Sequence, residues 1–179
     1  MNCKQLLSAT ALTLLTGLTG IITSTAFAAH HEGAFDAVAW MHDQQGNSVG
    51  SVRLRQTPHG TLLHARLAFM PPGTHAYHVH GVGQCTPPFK SAGGHYNPDS
   101  SGHGILDDDG MHIGDMPNIH VPAAGVLEIE ILNSRLQLDE RLFDADGAAL
   151  VIHEGPDDYR SDPAGAAGPR IACGVIKRK

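Results

Sequence analysis

Six histidines lie between residues 75 and 115, with Asp115 at the end of the stretch, a density of imidazole that neither a hydrophobic core nor a solvated surface requires. In an extended strand alternate side chains share a face, so His78 and His80 lie on one face while Val79 lies on the other. From His95 onward the donors are widely spaced in a stretch rich in Gly, Pro, Asp and Ser, which is typical of a loop. The full set is His75, His78, His80, His95, His103, His112 and Asp115. A strand pair and a donor-rich loop together predict a metal site, although any one of these histidines alone could be a solvated loop residue.

Five runs of sequence, in this order and at these spacings, resemble the copper/zinc superoxide dismutases. They are Gly73–His80, Ser91–Pro98, His112–Asp115, Leu150–Glu154 and Gly168–Ile176. The resemblance extends over nearly all of the chain after residue 33. The short connection between the last two runs makes the chain look like the bacterial periplasmic type.

The resemblance implies one copper and one zinc ion per chain, with an imidazole shared between them. The implied copper ligands are His78, His80, His95 and His153, and the implied zinc ligands are His95, His103, His112 and Asp115. The chemistry of the donors agrees, because four imidazoles suit both Cu(II) and Cu(I). Three imidazoles with a carboxylate suit a tetrahedral structural zinc ion. His95 would act as an imidazolate between two cations, and it is therefore expected to be catalytic.

Four further residues receive roles from the resemblance or from their position. Asp157 is implied as a carboxylate that joins a copper histidine to a zinc histidine, the alternative being an exposed loop acid. Arg170 is implied as the catalytic cation that docks a small anion beside copper, the alternative being a surface arginine. Lys90 could add positive charge near the site, and His75 matches a family position with a structural role. The negatively charged chain repels superoxide on average, so local positive charge is needed there.

The elements that position these donors are short strands. Apolar residues alternate with polar ones over roughly 34–42, 48–57 and 60–69, where Phe69 is counted among the inward residues, and again over 127–131. The runs 148–153 and 171–176 are continuously apolar and predict buried strands, while 139–146 could hold a helical turn. The class is all-β. With the resemblance, it predicts an eight-stranded Greek-key sandwich or flattened barrel. Two long functional loops are expected at about 81–118 and 154–169.

Residues 1–28 have the pattern of a cleaved signal peptide, which leaves 29–179 as a single domain. The signal contains one lysine and no acidic residue, so its removal changes the net charge from −6 to −7 and argues against a nucleic-acid partner. It also removes Cys3, and the remaining Cys85 and Cys173 are expected to form a disulfide in an exported protein. We therefore expect a periplasmic or secreted protein with no membrane span in its mature form.

The predicted activity is dismutation of superoxide to O₂ and H₂O₂ by a copper ion that is alternately reduced and reoxidised. The main alternative is a non-enzymatic copper/zinc carrier or store on the same fold, and a weaker one is an adhesion-type sandwich with incidental histidines. The chain is expected to be a monomer or a homodimer. Cleavage after Ala28 would also create an N-terminal Ala29-His30-His31 sequence that can bind Cu(II).

Overall fold

The computed structural model describes residues 34–179, and its strands are short and antiparallel. They are β1 Ala37–Asp43, β2 Ser48–Thr57, β3 Gly60–Leu67, β4 Gly73–His75, β5 Tyr77–His80, β6 Ile119–Val121, β7 Leu127–Asn133, β8 Ala149–His153 and β9 Arg170–Arg178. The only helix among the described residues is the 3₁₀ turn Lys90–Ala92. The predicted all-β class is confirmed. Within this part of the chain no helix is long and apolar enough to cross a membrane.

Seven strands form one sheet in the order β5-β8-β9-β1-β2-β3-β7, and β4 and β6 form a second, two-stranded sheet. The described residues thus contain nine strand segments, where eight strands were expected. The additional break is at Ala76, whose N–H donates to the Gly155 carbonyl and whose carbonyl accepts from the His153 N–H. The backbone of Ala76 therefore bonds to residues near the end of β8 and not to β6. The chain passes from the small sheet into the large one at this single residue.

The core forms where alternating strands turn their apolar faces inward. On β2 and β3 the inward residues include Val52, Leu54, Leu63 and Ala65, each at most 2% exposed. Their outward neighbours on these strands are more exposed. Burial of apolar area at about 25 cal/mol per Å² is the main term that holds such a sheet together.

One sequence prediction fails at the end of an element. Phe69 was counted among the inward residues, but β3 ends at Leu67, and Phe69 takes a left-handed φ of 60° with 87% exposure. Residues 139–146 hold the single helical turn that was predicted there, since the Phe143 N–H donates to the Asp139 carbonyl, and no helix continues from it. Asp139 Oδ1 accepts from the N–H groups of Arg141 and Leu142, so the local bonds are those of a capped turn that does not continue.

The two long connections lie where they were expected, between β5 and β6 and between β8 and β9. Cys85 in the first is bonded to Cys173 on β9, with a Cα–Cα distance of 5.7 Å. A second cluster of buried residues surrounds this link and includes Phe89, Ala92, Ala149 and Val151. The first long loop is therefore fastened to the sheet beside the strands that carry the predicted ligands.

Candidate metal centre

Four histidines from three parts of the chain converge at the end of the sheet formed by β5, β8 and β9. His78 and His80 lie on one face of β5, while Tyr77 and Val79 pack into the core on the other. His153 ends β8 at a register shift between Ile152 and His153, and such irregularities redirect a side chain. His95 joins them through a bridge to His80. Each side chain offers one nitrogen within 4.8 Å of the others, and all four residues are buried.

The outer nitrogens of these rings are held by carbonyl or carboxylate oxygens. His80 Nδ1 lies 3.0 Å from the Gly93 carbonyl oxygen and His153 Nδ1 lies 3.1 Å from that of Gly168. Donation at Nδ1 leaves Nε2 as a lone-pair donor in each ring, and these two Nε2 atoms are 3.5 Å apart. His78 is held in the opposite sense, with Nε2 2.8 Å from Asp157 Oδ2. No pattern in the sequence indicated the backbone partners.

Buried nitrogens without a partner show that this group fits a metal ion. His78 Nδ1 and His95 Nε2 are fully buried and have no hydrogen-bond partner. An unsatisfied buried polar atom costs about 1–3 kcal/mol, so a protein does not keep two at one point without compensation. Four convergent imidazole nitrogens without a thiolate match the donors that copper accepts in both oxidation states.

A second group lies on the other side of His95 and adds a carboxylate. Its members are His95, His103, His112 and Asp115, with ligand atoms all within 4.8 Å of one another. Asp115 Oδ1 is 2.7 Å from His95 Nδ1 and 3.2 Å from His112 Nδ1. His103 Nδ1 is 3.2 Å from Asp115 Oδ2 but does not have the geometry of a hydrogen bond. Three imidazoles and one carboxylate are a closed tetrahedral set for zinc.

His95 belongs to both groups and offers a different nitrogen to each. Nδ1 lies among the atoms of the second group, 3.3 Å from His112 Nδ1. Nε2 is buried and has no hydrogen-bond partner. A single ring with one nitrogen in each donor set places the two sites side by side.

Asp157 links the two groups at a second point. Its Oδ2 accepts from His78 Nε2 at 2.8 Å, and its Oδ1 accepts from His103 Nε2 at 3.0 Å. Burial raises the pKa of Asp157, but the hydrogen bonds from both histidines outweigh it and lower the pKa to about 2. The alternative of an exposed loop acid is wrong, because Asp157 is 4% exposed. Asn118 holds its backbone, donating to the Asp157 carbonyl and accepting from the Asp157 N–H.

Arg170 is not a solvated surface residue either. It opens β9 opposite His153, and its guanidinium donates to the carbonyls of Phe89 and Gly93. Partial burial lowers the pKa of Arg170 below its ordinary value, although an arginine remains charged at neutral pH. Gly93 also holds His80, so one short segment positions both this cation and a histidine of the first group. Lys90, by contrast, is exposed in the 3₁₀ turn.

Burial keeps three histidines of the first group neutral, namely His78, His80 and His153. It lowers the pKa of His78 and of His153 to about 4, and it lowers the pKa of His80 well below 6.5. A neutral imidazole has the free lone pair that a metal requires. At pH 7 these three rings therefore need not lose a proton before they bind a metal ion.

The remaining histidines of the described region lie outside both groups. His75 is buried, with Nδ1 3.0 Å from the His153 carbonyl and Nε2 2.8 Å from that of Pro71, which agrees with the structural role predicted for it. A further set lies on strands or turns: His42, His59, His64 and His120. His30 and His31 lie outside the described residues.

Two features around the site were not anticipated. A cavity of about 410 Å³ opens beside His153 and is lined by residues of the 161–168 segment. Within that segment Gly165 lies so close to the Asp157 bridge that a Cβ there would be 1.8 Å from Asp157 Oδ1. Its only sequence signal is a glycine within a run of alanines and prolines.

The fold and the site define a metal-dependent redox protein with a paired imidazole centre on a β-sheet scaffold. The sequence pattern of the copper/zinc superoxide dismutases matches residues 48–176. The chain is 48% identical to the copper/zinc superoxide dismutase 1 of Aquifex aeolicus, over 75% of this chain and 83% of the relative. It is 42% identical to the Caulobacter vibrioides enzyme, over 79% and 85%.

A solved structure of a superoxide dismutase-like protein from Bacillus subtilis has a TM-score of 0.76 at 32% identity. It covers 79% of this chain and 99% of the other. The chain belongs to the copper/zinc superoxide dismutase family. It is an oxidoreductase whose substrate is superoxide and whose cofactors are copper and zinc.

Proposed function

We propose that each donor group holds one particular ion and that four residues have distinct roles in dismutation. Copper is held by His78, His80, His95 and His153, and zinc by His95, His103, His112 and Asp115. His95 and Arg170 are catalytic, and Asp157 fixes the orientation of the rings. The observation that carries this assignment is the shared ring of His95, with one nitrogen in each group.

When bound, copper supplies a one-electron couple and zinc supplies a fixed positive charge. Dismutation of two superoxide anions consumes two protons and yields one O₂ and one H₂O₂. His95 can supply one proton at Nε2, because no protein group forms a hydrogen bond with that nitrogen. Its Nδ1 stays with the zinc group, so the ring keeps its orientation while Nε2 gains and loses its proton. The second proton comes from solvent.

Arg170 docks the superoxide anion. A guanidinium has five N–H donors, and the carbonyls of Phe89 and Gly93 engage two of its nitrogens, which leaves donors for a small anion. These two bonds also reduce the rotational freedom of the side chain. Lys90, in the neighbouring loop, adds long-range attraction for the superoxide anion. Its removal would slow the association of superoxide with the site and would not change the chemical step.

Residues 1–28 are proposed to be a cleaved signal peptide and 29–179 a single domain that works in the periplasm or outside the cell. The disulfide between Cys85 and Cys173 supports this location, because such bonds persist in oxidising compartments. The mature protein is proposed to have no membrane span and to be a monomer or a homodimer. The additional copper site at Ala29-His30-His31 stays a prediction. An intact-mass measurement showing that the mature chain begins at His30 would contradict it.

The assignment is tested by measuring copper and zinc per chain together with dismutation, for the native protein and for His78→Ala. We expect the variant to keep zinc and lose copper. Its activity should fall by more than the roughly 10- to 100-fold that loss of an outer partner causes, because a direct ligand is gone. His59→Ala, an exposed histidine in the turn between β2 and β3, should match the native protein.

The other outcomes separate the alternatives. A native chain with two metals and no dismutation would support the carrier, and a native chain without metal would support incidental histidines. If His78→Ala lost zinc and kept copper, the two ligand groups would be assigned the wrong way round.

A further inference from the structure

We infer that Arg135 and Asn133, at the end of β7, position His112 and thereby set the affinity of the zinc site. This inference rests on the proposed role of His112 as a zinc ligand. Neither residue belongs to either donor group, and the side-chain hydrogen bonds of both go to other residues. Both act on the backbone next to His112.

The backbone on each side of His112 is held from β7. The Arg135 guanidinium donates to the carbonyl of Met111, the residue before His112. The Asn133 side chain donates to the carbonyl of Ile113, the residue after it, at 2.7 Å. Two bonds that flank a single residue restrict the direction in which its side chain leaves the backbone.

The two side chains are themselves fixed. Asn133 is 5% exposed, and its Oδ1 accepts from the N–H groups of Arg135 and Leu136 at 3.0 and 2.9 Å. Leu136 is fixed in turn, because its carbonyl accepts from the Thr61 hydroxyl on β3. The support thus begins in the sheet and ends at the loop, independently of any metal.

The loop needs such support because it has little structure of its own. Between Gly81 and Asn118 the described backbone has no strand and only a three-residue 3₁₀ turn. His112 enters the zinc group at 6% exposure, with its N–H bonded to Asp115 Oδ2. A donor set that is already in place loses less conformational freedom when the ion binds, which raises affinity.

Charge and positioning predict opposite signs for the loss of Arg135, and this difference makes the inference testable. A cation close to the site repels a divalent ion, so removal of its charge alone would tighten zinc binding. Removal of a positioning contact weakens it. The Arg135 guanidinium lies 3.5 Å from Asp99. Arg141 serves as the matched control, because it approaches the same carboxylate, at 3.6 Å, but forms no hydrogen bond with the backbone around His112.

The experiment measures zinc dissociation constants by chelator competition on the full chain. For Arg135→Met, which keeps the apolar stem, we expect affinity to fall about tenfold, within the range found for outer partners of metal ligands. Arg135→Lys, which keeps one donor group, should recover part of the loss. Arg141→Met should stay within about twofold of native or bind slightly tighter. Copper affinity should stay native in all three variants.

A second readout follows the geometry directly. In protein carrying Co²⁺ in place of zinc, the visible absorption of Arg135→Met should differ from native, while that of Arg141→Met should not. Native zinc affinity in Arg135→Met, or equal losses in Arg135→Met and Arg141→Met, would overturn the inference. Failure of the underlying assignment would look different, because His112→Ala would then retain native zinc affinity.

Discussion

Asp157 has the largest predicted effect of any single residue that does not itself belong to a donor group. It accepts from a histidine of each group, so Asp157→Ala would leave His78 Nε2 and His103 Nε2 buried without partners. Both rings would lose their fixed orientation. We expect the affinities for both metals to fall by roughly 10- to 100-fold. Chelator competition, carried out separately for copper and zinc, measures this.

The neighbouring Asp158 provides the control. It is exposed and caps the turn at Arg160 and Ser161 without contacting a histidine, so Asp158→Ala should keep native affinity for both metals. If Asp157→Ala weakened only one metal, the carboxylate would be a partner of one group and not a link between two.

For single residues, the sequence predicts the metal-ligating histidines better than the groups that hydrogen-bond to their outer nitrogens. The spacing of His78 and His80 on a strand places both on one face, and this follows from backbone geometry alone. The atoms that fix the tautomers are carbonyls of Gly93 and Gly168, which belong to loops. Every residue has a carbonyl, so residue type carries no information about which one reaches a ring.

The loop between β8 and β9 constrains the site through its backbone at Gly165. This residue has a φ of 63°, and a Cβ there would be 2.8 Å from His103 Nε2 as well as in collision with Asp157. Gly165→Ala should therefore push the carboxylate away from His103. We expect weaker zinc binding and a loss of stability greater than the ~1 kcal/mol that a left-handed alanine costs by itself. Denaturant unfolding and zinc competition measure the two effects.

A substitution at Gly46 measures separately how much stability is lost when an alanine is forced into a left-handed backbone conformation. Gly46 has a φ of 84° in the turn between β1 and β2, and no other atom lies within 4 Å of the position that a Cβ would occupy. Gly46→Ala should cost only the conformational term and leave zinc affinity native. Equal effects of the two substitutions on stability and on zinc binding would show that contact with Asp157 does not matter.

Alternation made the longer strands predictable, whereas the three-residue strands could not be predicted. Period-two alternation located β2, β3 and β7 because each spans at least seven residues. Strands β4 and β6 have three residues each, too few to show a period. The register shift that redirects His153 depends on pairing with β9, and a strand's own sequence does not specify its partner.

For the whole molecule, the composition and the family resemblance predicted the all-β class and the pairing of Cys85 with Cys173. The strand order could not be read from the residues. β5 neighbours β8, and β1 neighbours β9, although the two strands of each pair are far apart in the sequence. Such contacts are set by which faces bury one another after folding, a property of the assembled sheet.

Burial of the donor group makes the stability of the metal-free protein depend on pH. His78 and His153 have a pKa of about 4 when folded, below the ordinary 6.5. Between these values the unfolded chain binds protons that the folded chain does not, so stability falls as pH decreases from about 7 towards 4. Each histidine contributes up to ~1.4 kcal/mol per pH unit in this window. Asp157 contributes little to the slope between pH 7 and 4. The stability that its lowered pKa provides is lost only as pH falls from about 3.8 towards 2.

Urea unfolding of the metal-free protein at pH 7, 6 and 5 measures this slope. His153→Gln removes one of the titrating groups and should lower the slope between pH 6 and 5 by about 1 kcal/mol per unit. The turn residue His59 is exposed, so His59→Gln should leave the slope as it is in the native chain. A free energy of unfolding that is the same at all three pH values would mean that the donor histidines are protonated as easily in the folded chain as in the unfolded one. In that case, burial would not keep the site neutral and ready for metal.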